Sequence, residues 1–156
     1  FVIILFLCPI SLYAESFIVG KIVRIIDGDT LTLLNEQEQP YRIRLAGIDT
    51  PERGQPFGSN AKQYLAKLSA GKMAVADCPK KDRYGRYICV VKVNDTDIGL
   101  SLIRAGLAWH YKKYSHEQSP KDRADYGSAE INARDNKLGL WVEASPMSPW
   151  DWRHRK

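Results

Sequence analysis

Three runs of strand-like sequence, set apart by short polar turns, fill residues 16–45. Residues 16–26 are rich in Val and Ile, Asp27-Gly28 is a turn dipeptide, and Thr30-Leu31-Thr32-Leu33-Leu34 alternates beyond it. After a polar turn over residues 35–39, Tyr41-Arg42-Ile43-Arg44-Leu45 alternates again. Tyr41, Ile43 and Leu45 share one face, and Arg42 and Arg44 the other. Strands of period two with one apolar face must bury that face, which fixes their register. The pattern predicts a three-stranded meander.

A helix follows, with Ala61, Tyr64, Leu65 and Leu68 on one stripe, Ser59 as its cap and Gly71 as its stop. Strands are predicted over residues 73–77 and 87–93, joined by a polar hairpin turn over 79–86. A short helix is expected over 98–105 and is ended by Gly106. A last helix is expected from Ser119-Pro120, where Ser caps and Pro takes the first helical position, to about Asn136. The 156 residues suffice for one domain, and 44 % hydrophobic composition suffices for a core, which excludes a disordered or fibrous chain. This order predicts an α+β fold, mainly β: a five-stranded Greek-key barrel of the OB-fold type with three helices.

Residues 1–14 are uncharged and mostly apolar, too short for a membrane span of about 20 residues. They match a truncated signal peptide ending at Ala14, and a buried first strand is the competing reading. The expected layout is a signal over 1–14, one domain over 15–145, and an irregular tail over 146–156. Export implies a secreted or periplasmic protein with no membrane span in the mature chain. With Cys8 in the signal, Cys78 and Cys89 remain, placed where a hairpin sets them opposite each other. A disulfide is expected there; two reduced cysteines are the alternative. His110, His116 and His154 are scattered and read as packing or surface residues.

Asp29 shares strand parity with Leu31 and Leu33, so a carboxylate falls on the apolar side of a strand. Such a breach of pattern marks a functional position. Asp49 follows in Ala46-Gly47-Ile48-Asp49-Thr50-Pro51-Glu52. Each Asp alone also suits turn capping. Two carboxylates and a turn carbonyl form a hard-oxygen set suited to Ca²⁺ or Mg²⁺. Arg44 and Arg86 supply guanidiniums, which grip phosphate oxygens bidentately and stay charged. The net charge of +5 agrees with a polyanionic partner without requiring one.

Ile26-Asp27-Gly28-Asp29-Thr30, Arg44-Leu45-Ala46-Gly47-Ile48-Asp49-Thr50-Pro51-Glu52 and Asp82-Arg83-Tyr84-Gly85-Arg86 stand in this order. Together they resemble the staphylococcal nuclease (thermonuclease) family, over residues 19–141. The resemblance implies a Ca²⁺-dependent nuclease acting on DNA and RNA and leaving 3′-phosphate ends. It implies Asp29, Asp49 and the Thr50 carbonyl as metal ligands, with Asp27 reaching the metal through water. Arg44, Glu52 and Arg86 become the catalytic residues: phosphate bridge, handler of the attacking water, and stabiliser of charge on phosphorus and leaving group. Arg83, Tyr84, Tyr111 and Tyr114 are candidate substrate contacts, and Trp109 is assigned to packing. A monomer without a stable protein partner is expected. The competing readings are a catalytically silent nuclease-like module that binds nucleic acid or protein, and a barrel that binds an anionic ligand.

Overall fold

A computed structural model describes residues 17–155, so the signal-like segment and Cys8 lie outside the described residues. β1 (Phe17–Ile25), β2 (Thr30–Leu34) and β3 (Pro40–Leu45) form the antiparallel meander, with Ile22 opposite Leu33 and Leu31 opposite Ile43. Next come a two-residue strand β4 (Ile48–Asp49) and helix α1 (Gly58–Ser69). β5 (Met73–Lys81) then pairs antiparallel with β1, and β6 (Tyr87–Val93) antiparallel with β5. β6 returns to β3 in parallel register, Ile43 beside Tyr87 and Leu45 beside Cys89. That last pairing closes a five-stranded mixed barrel. Ile22, Leu31, Leu33, Ile43, Leu45 and Val91 are buried in its core.

β5 runs to Lys81, four residues beyond the predicted end. Its register with β6 shifts between Asp77 and Lys80. Pro79, which has no N–H to give a ladder, sits in that irregularity and so does not end the strand. Cys78 and Cys89 are disulfide-bonded across the two strands, with Cα atoms 4.2 Å apart.

Ser59 does not cap α1. The cap position is Phe57, in the left-handed region at φ 67° with no side-chain cap bond, and Ser59 lies inside the helix. The Phe57 ring packs against both core clusters, which holds this uncommon conformation. Gly58 is required beside it: a Cβ there would lie 2.1 Å from the Glu52 carbonyl oxygen.

Strand β7 (Thr96–Asp97) extends the sheet and leads into α2 (Ile98–Arg104). The Asp97 carboxylate caps α2, accepting from the N–H groups of Gly99 and Leu100. Strand β8 (Trp109–His110) pairs with β4 and so anchors the Asp49 segment. α3 (Pro120–Asp135) is capped by Ser119, which accepts from the Asp122 N–H. The Tyr126 hydroxyl on α3 donates to Asp97 at 2.7 Å and ties α3 to the start of α2. The tail is not irregular throughout: α4 (Pro149–Arg153) forms behind a Ser148 cap, so four α-helices are present among the described residues. No helix among them is long and apolar enough to cross a membrane.

Candidate active site

The turn between β1 and β2 and the β3–β4–α1 connection meet at one mouth of the barrel. Gly28 lets them approach, since a Cβ there would lie 2.6 Å from the Thr50 hydroxyl oxygen. Asp29 and Asp49 are both buried at this junction. Asp29 Oδ2 accepts from the Thr50 N–H and from the Thr50 hydroxyl, each at 3.2 Å. The Asp27 carboxylate accepts from the Asp29 N–H at 3.1 Å. Burial pushes the Asp27 carboxyl upward, and the neighbouring Asp29 charge adds to the effect.

Arg44 points away from the Ile43 and Leu45 side of its strand, yet not into open solvent. Its side chain is 14 % exposed, with Nη2 at 3.3 Å from Asp29 and 2.9 Å from Asp49. Nη1 donates to the carbonyls of Leu45 at 2.9 Å and Ile48 at 3.0 Å. Burial would lower its pKa, but the charges of Asp29 and Asp49 outweigh that and raise it. One guanidinium, fixed by two backbone carbonyls, thus bridges two carboxylates.

A second arginine arrives from the tail. Arg153 on α4 donates through Nη2 to Asp49 Oδ2 at 2.8 Å and through Nη1 to Asp49 Oδ1 at 3.2 Å. The same Nη1 donates to Glu52 Oε1. Burial raises the Asp49 carboxyl, against the hydrogen bonds from Arg153 and the charge of Arg44. Those hydrogen bonds to Asp49, and then to Glu52, raise Arg153 in turn. Arg153 and the rest of the tail were not among the residues expected here. The signal was present: Ser148-Pro149 repeats the cap-and-proline start that marks α3 at Ser119-Pro120.

Glu52 is partly exposed, on a turn whose backbone N–H donates to Gln55 Oε1 at 2.9 Å. Gln55 Nε2 donates onward to the Met147 carbonyl at 2.8 Å, joining the Glu52 turn to the tail. Arg86 closes the β5–β6 turn with its Nε on Asp82 Oδ2 at 2.7 Å. Arg83 donates to the Tyr84 hydroxyl at 2.8 Å, and Tyr84 is exposed. Tyr111 lies parallel to Trp150 of α4, with ring centroids 5.5 Å apart, and edge-on to Tyr114 at 5.0 Å. Trp109 packs edge-on against Trp141 at 4.5 Å, as a packing role requires. His110 is buried, with Nε2 hydrogen-bonded to Gln118 Oε1 at 2.7 Å, while His116 and His154 are exposed.

One groove of about 1270 Å³ is lined by all of Asp27, Asp29, Arg44, Asp49, Thr50 and Glu52, together with Arg83, Tyr84, Arg86, Tyr111, Tyr114, Trp150 and Arg153. Cys78 and Cys89 are buried in the core and are not among the residues that line it. Among the described residues, no group of three or more His, Cys, Asp and Glu side chains is arranged to hold a metal ion. Among the residues that line the groove, Asp29, Asp49 and the Thr50 backbone offer oxygens, a set that would fit a hard divalent cation better than a soft one, while the Nε2 of His110, which also lines it, is taken up by Gln118. Two guanidiniums already gather at Asp49, so the position attracts positive charge.

The model of the staphylococcal nuclease homologue family matches residues 42–143. A protein of Haemophilus influenzae named an uncharacterized endonuclease is 38 % identical over 136 residues, covering 87 % of this chain and 73 % of that protein. A micrococcal nuclease of Shigella flexneri is 39 % identical over 143 residues, covering 86 % and 79 %. An Escherichia coli O157:H7 protein, also named an uncharacterized endonuclease, is 36 % identical over 138 residues, covering 88 % and 86 %.

Proposed function

Since the chain belongs to the staphylococcal nuclease family, we propose that it is a secreted or periplasmic, Ca²⁺-dependent phosphodiesterase that cleaves DNA and RNA. The observation that carries this reading is the pair of buried carboxylates, Asp29 and Asp49, bridged by Arg44 in the groove that Glu52 and Arg86 also line. A structural role needs no such concentration of charge, because a buried ion set gives little net stability.

Asp29, Asp49 and the Thr50 carbonyl would hold Ca²⁺, which when bound supplies positive charge against the phosphodiester anion. Arg44 adds a fixed guanidinium that bonds a non-bridging phosphate oxygen. Glu52 orients the attacking water and accepts its proton at a carboxylate oxygen. The new bond forms between the water oxygen and phosphorus, and the bond from phosphorus to the 5′ oxygen breaks. The phosphate stays on the 3′ side, the leaving 5′ oxygen takes a proton from solvent water, and Glu52 returns its own proton to solvent. Arg86 neutralises charge that builds on phosphorus and on that oxygen, as a preorganised donor set does. Arg83, Tyr84, Tyr111 and Tyr114 line the groove as cationic and aromatic contacts for phosphates and bases.

With only two carboxylate ligands, the expected Ca²⁺ dissociation constant is on the order of 10⁻⁴ M or weaker, suited to calcium outside the cytoplasm. Plasmid DNA incubated with the protein should be cut with Ca²⁺, spared in EGTA, and cut again when Ca²⁺ is restored. Asp29→Ala should raise the Ca²⁺ requirement. Undiminished cutting in chelator would overturn the metal assignment. No cutting under any condition would favour the silent binding module, which the presence of Asp29, Arg44, Asp49, Glu52 and Arg86 together argues against.

A further inference from the structure

Arg153 and a divalent cation at Asp49 require the same oxygens. Asp49 Oδ1 accepts from Arg44 at 2.9 Å and from Arg153 at 3.2 Å, and Oδ2 accepts from Arg153 at 2.8 Å. A carboxylate oxygen offers two lone-pair directions, so Oδ1 is fully engaged and Oδ2 half engaged. A cation on Oδ1 must displace a guanidinium N–H, and one on Oδ2 lies against the like charge of Arg153.

The two arginines are not equally free to give way. Arg44 is 14 % exposed and pinned by the carbonyls of Leu45 and Ile48. Arg153 is 38 % exposed, and among the described residues its guanidinium bonds carboxylates alone, those of Asp49 and Glu52. The helix that carries it is anchored elsewhere: Ser148 caps it, Pro149 is buried, and Trp150 packs between Tyr111 and Trp109. The Arg153 side chain can therefore leave while α4 stays docked. Because one nitrogen, Nη1, serves both Asp49 and Glu52, release from the first loosens the second.

We propose that Arg153 is an internal competitor of the divalent cation for Asp49, and that its displacement by the cation frees Glu52 to handle water. Arg153 is a positioning residue in this scheme: it keeps the base paired until the metal is in place. The inference rests on the reading above that Asp49 holds the cation and Glu52 acts on water.

The test is cation binding without substrate, read as displacement of luminescent Tb³⁺ by Ca²⁺ from the whole protein, with a thermal melt to confirm folding. Arg153→Gln should bind Ca²⁺ about tenfold more tightly than the parent, since a like charge beside the ligand is gone. Arg153→Lys keeps the charge and loses the planar fork, so it should tighten binding less. Unchanged or weaker binding in Arg153→Gln overturns the proposal. Equal tightening in Gln and Lys variants also overturns it, because the effect would then be local loosening rather than charge. Asp49→Asn separates the two levels of inference. If that change leaves Ca²⁺ affinity untouched, the ligand assignment itself is wrong. If it weakens binding while Arg153→Gln fails to tighten it, only the competition fails.

Discussion

Arg86 enters the groove already oriented. Its side chain and backbone N–H both bond Asp82; burial pushes the Asp82 carboxyl up, but these bonds and the Tyr84 N–H together outweigh it and hold the carboxyl below its ordinary value of 3.8. A carboxyl depressed by folding keeps its contribution above the unfolded value and loses it as pH falls through the folded one. The Asp82–Arg86 clamp should therefore persist at neutral and mildly acidic pH and open only below about 3.8. Arg86→Ala should slow single-turnover cleavage by about 10²–10³-fold, the scale of one lost preorganised donor. Arg86→Lys should restore little, because an ammonium lacks the fork. Glu52→Gln should lower the rate while Ca²⁺ binding persists. Wild-type rates at saturating substrate for Arg86→Ala and Glu52→Gln would refute the roles given to them. The carboxylate–arginine set was legible in the sequence because Asp29 breaks an alternating strand and Arg44 sits on the non-core face of another. The pairing of Arg153 with Asp49 was not, since 104 positions separate them and no local pattern links them, although Ser148-Pro149 marks the start of its helix.

Period-two alternation made the meander readable, because each strand has one face in the barrel core. Two features escaped for local reasons. The Pro79 irregularity hides the far end of β5, and α1 begins on the left-handed backbone of Phe57, which carries no capping side chain to recognise. The joints between elements make separate predictions. Tyr126→Phe removes the hydroxyl that bonds the Asp97 carboxylate and should cost about 1–3 kcal/mol in urea denaturation. An unchanged midpoint would mean that α2 and α3 are joined by apolar contact alone. The disulfide closes a sequence separation of 11 between β5 and β6. A thiol reductant should lower the unfolding free energy by roughly 2–3 kcal/mol if the bond acts by restricting the unfolded chain. Thiol labelling after unfolding without reductant should find Cys78 and Cys89 blocked.

Across the whole molecule, a net charge of +5 is modest, so affinity for a polyanion depends on where the cations face. Lys112 and Lys113 are adjacent on the groove wall but differ in their partners. Lys112 pairs with the buried Glu130 at 2.6 Å, whereas Lys113 lies over the Tyr114 ring. Lys113→Ala should flatten the salt dependence of single-stranded DNA binding by about 0.7 in log–log slope, the value for one lost phosphate contact. Lys112→Ala should act more on stability, by removing a partner from Glu130. Equal changes in slope for both would contradict this division. The Cys78–Cys89 bond also encloses the exposed Arg83, in the turn that carries Arg86. A trypsin cut after Arg83 would sever the backbone inside a covalent loop. The nicked protein would keep its mass on a denaturing gel run without reductant and fall into two bands once a thiol was added. An undiminished band on the first gel would therefore be no proof that the turn had survived.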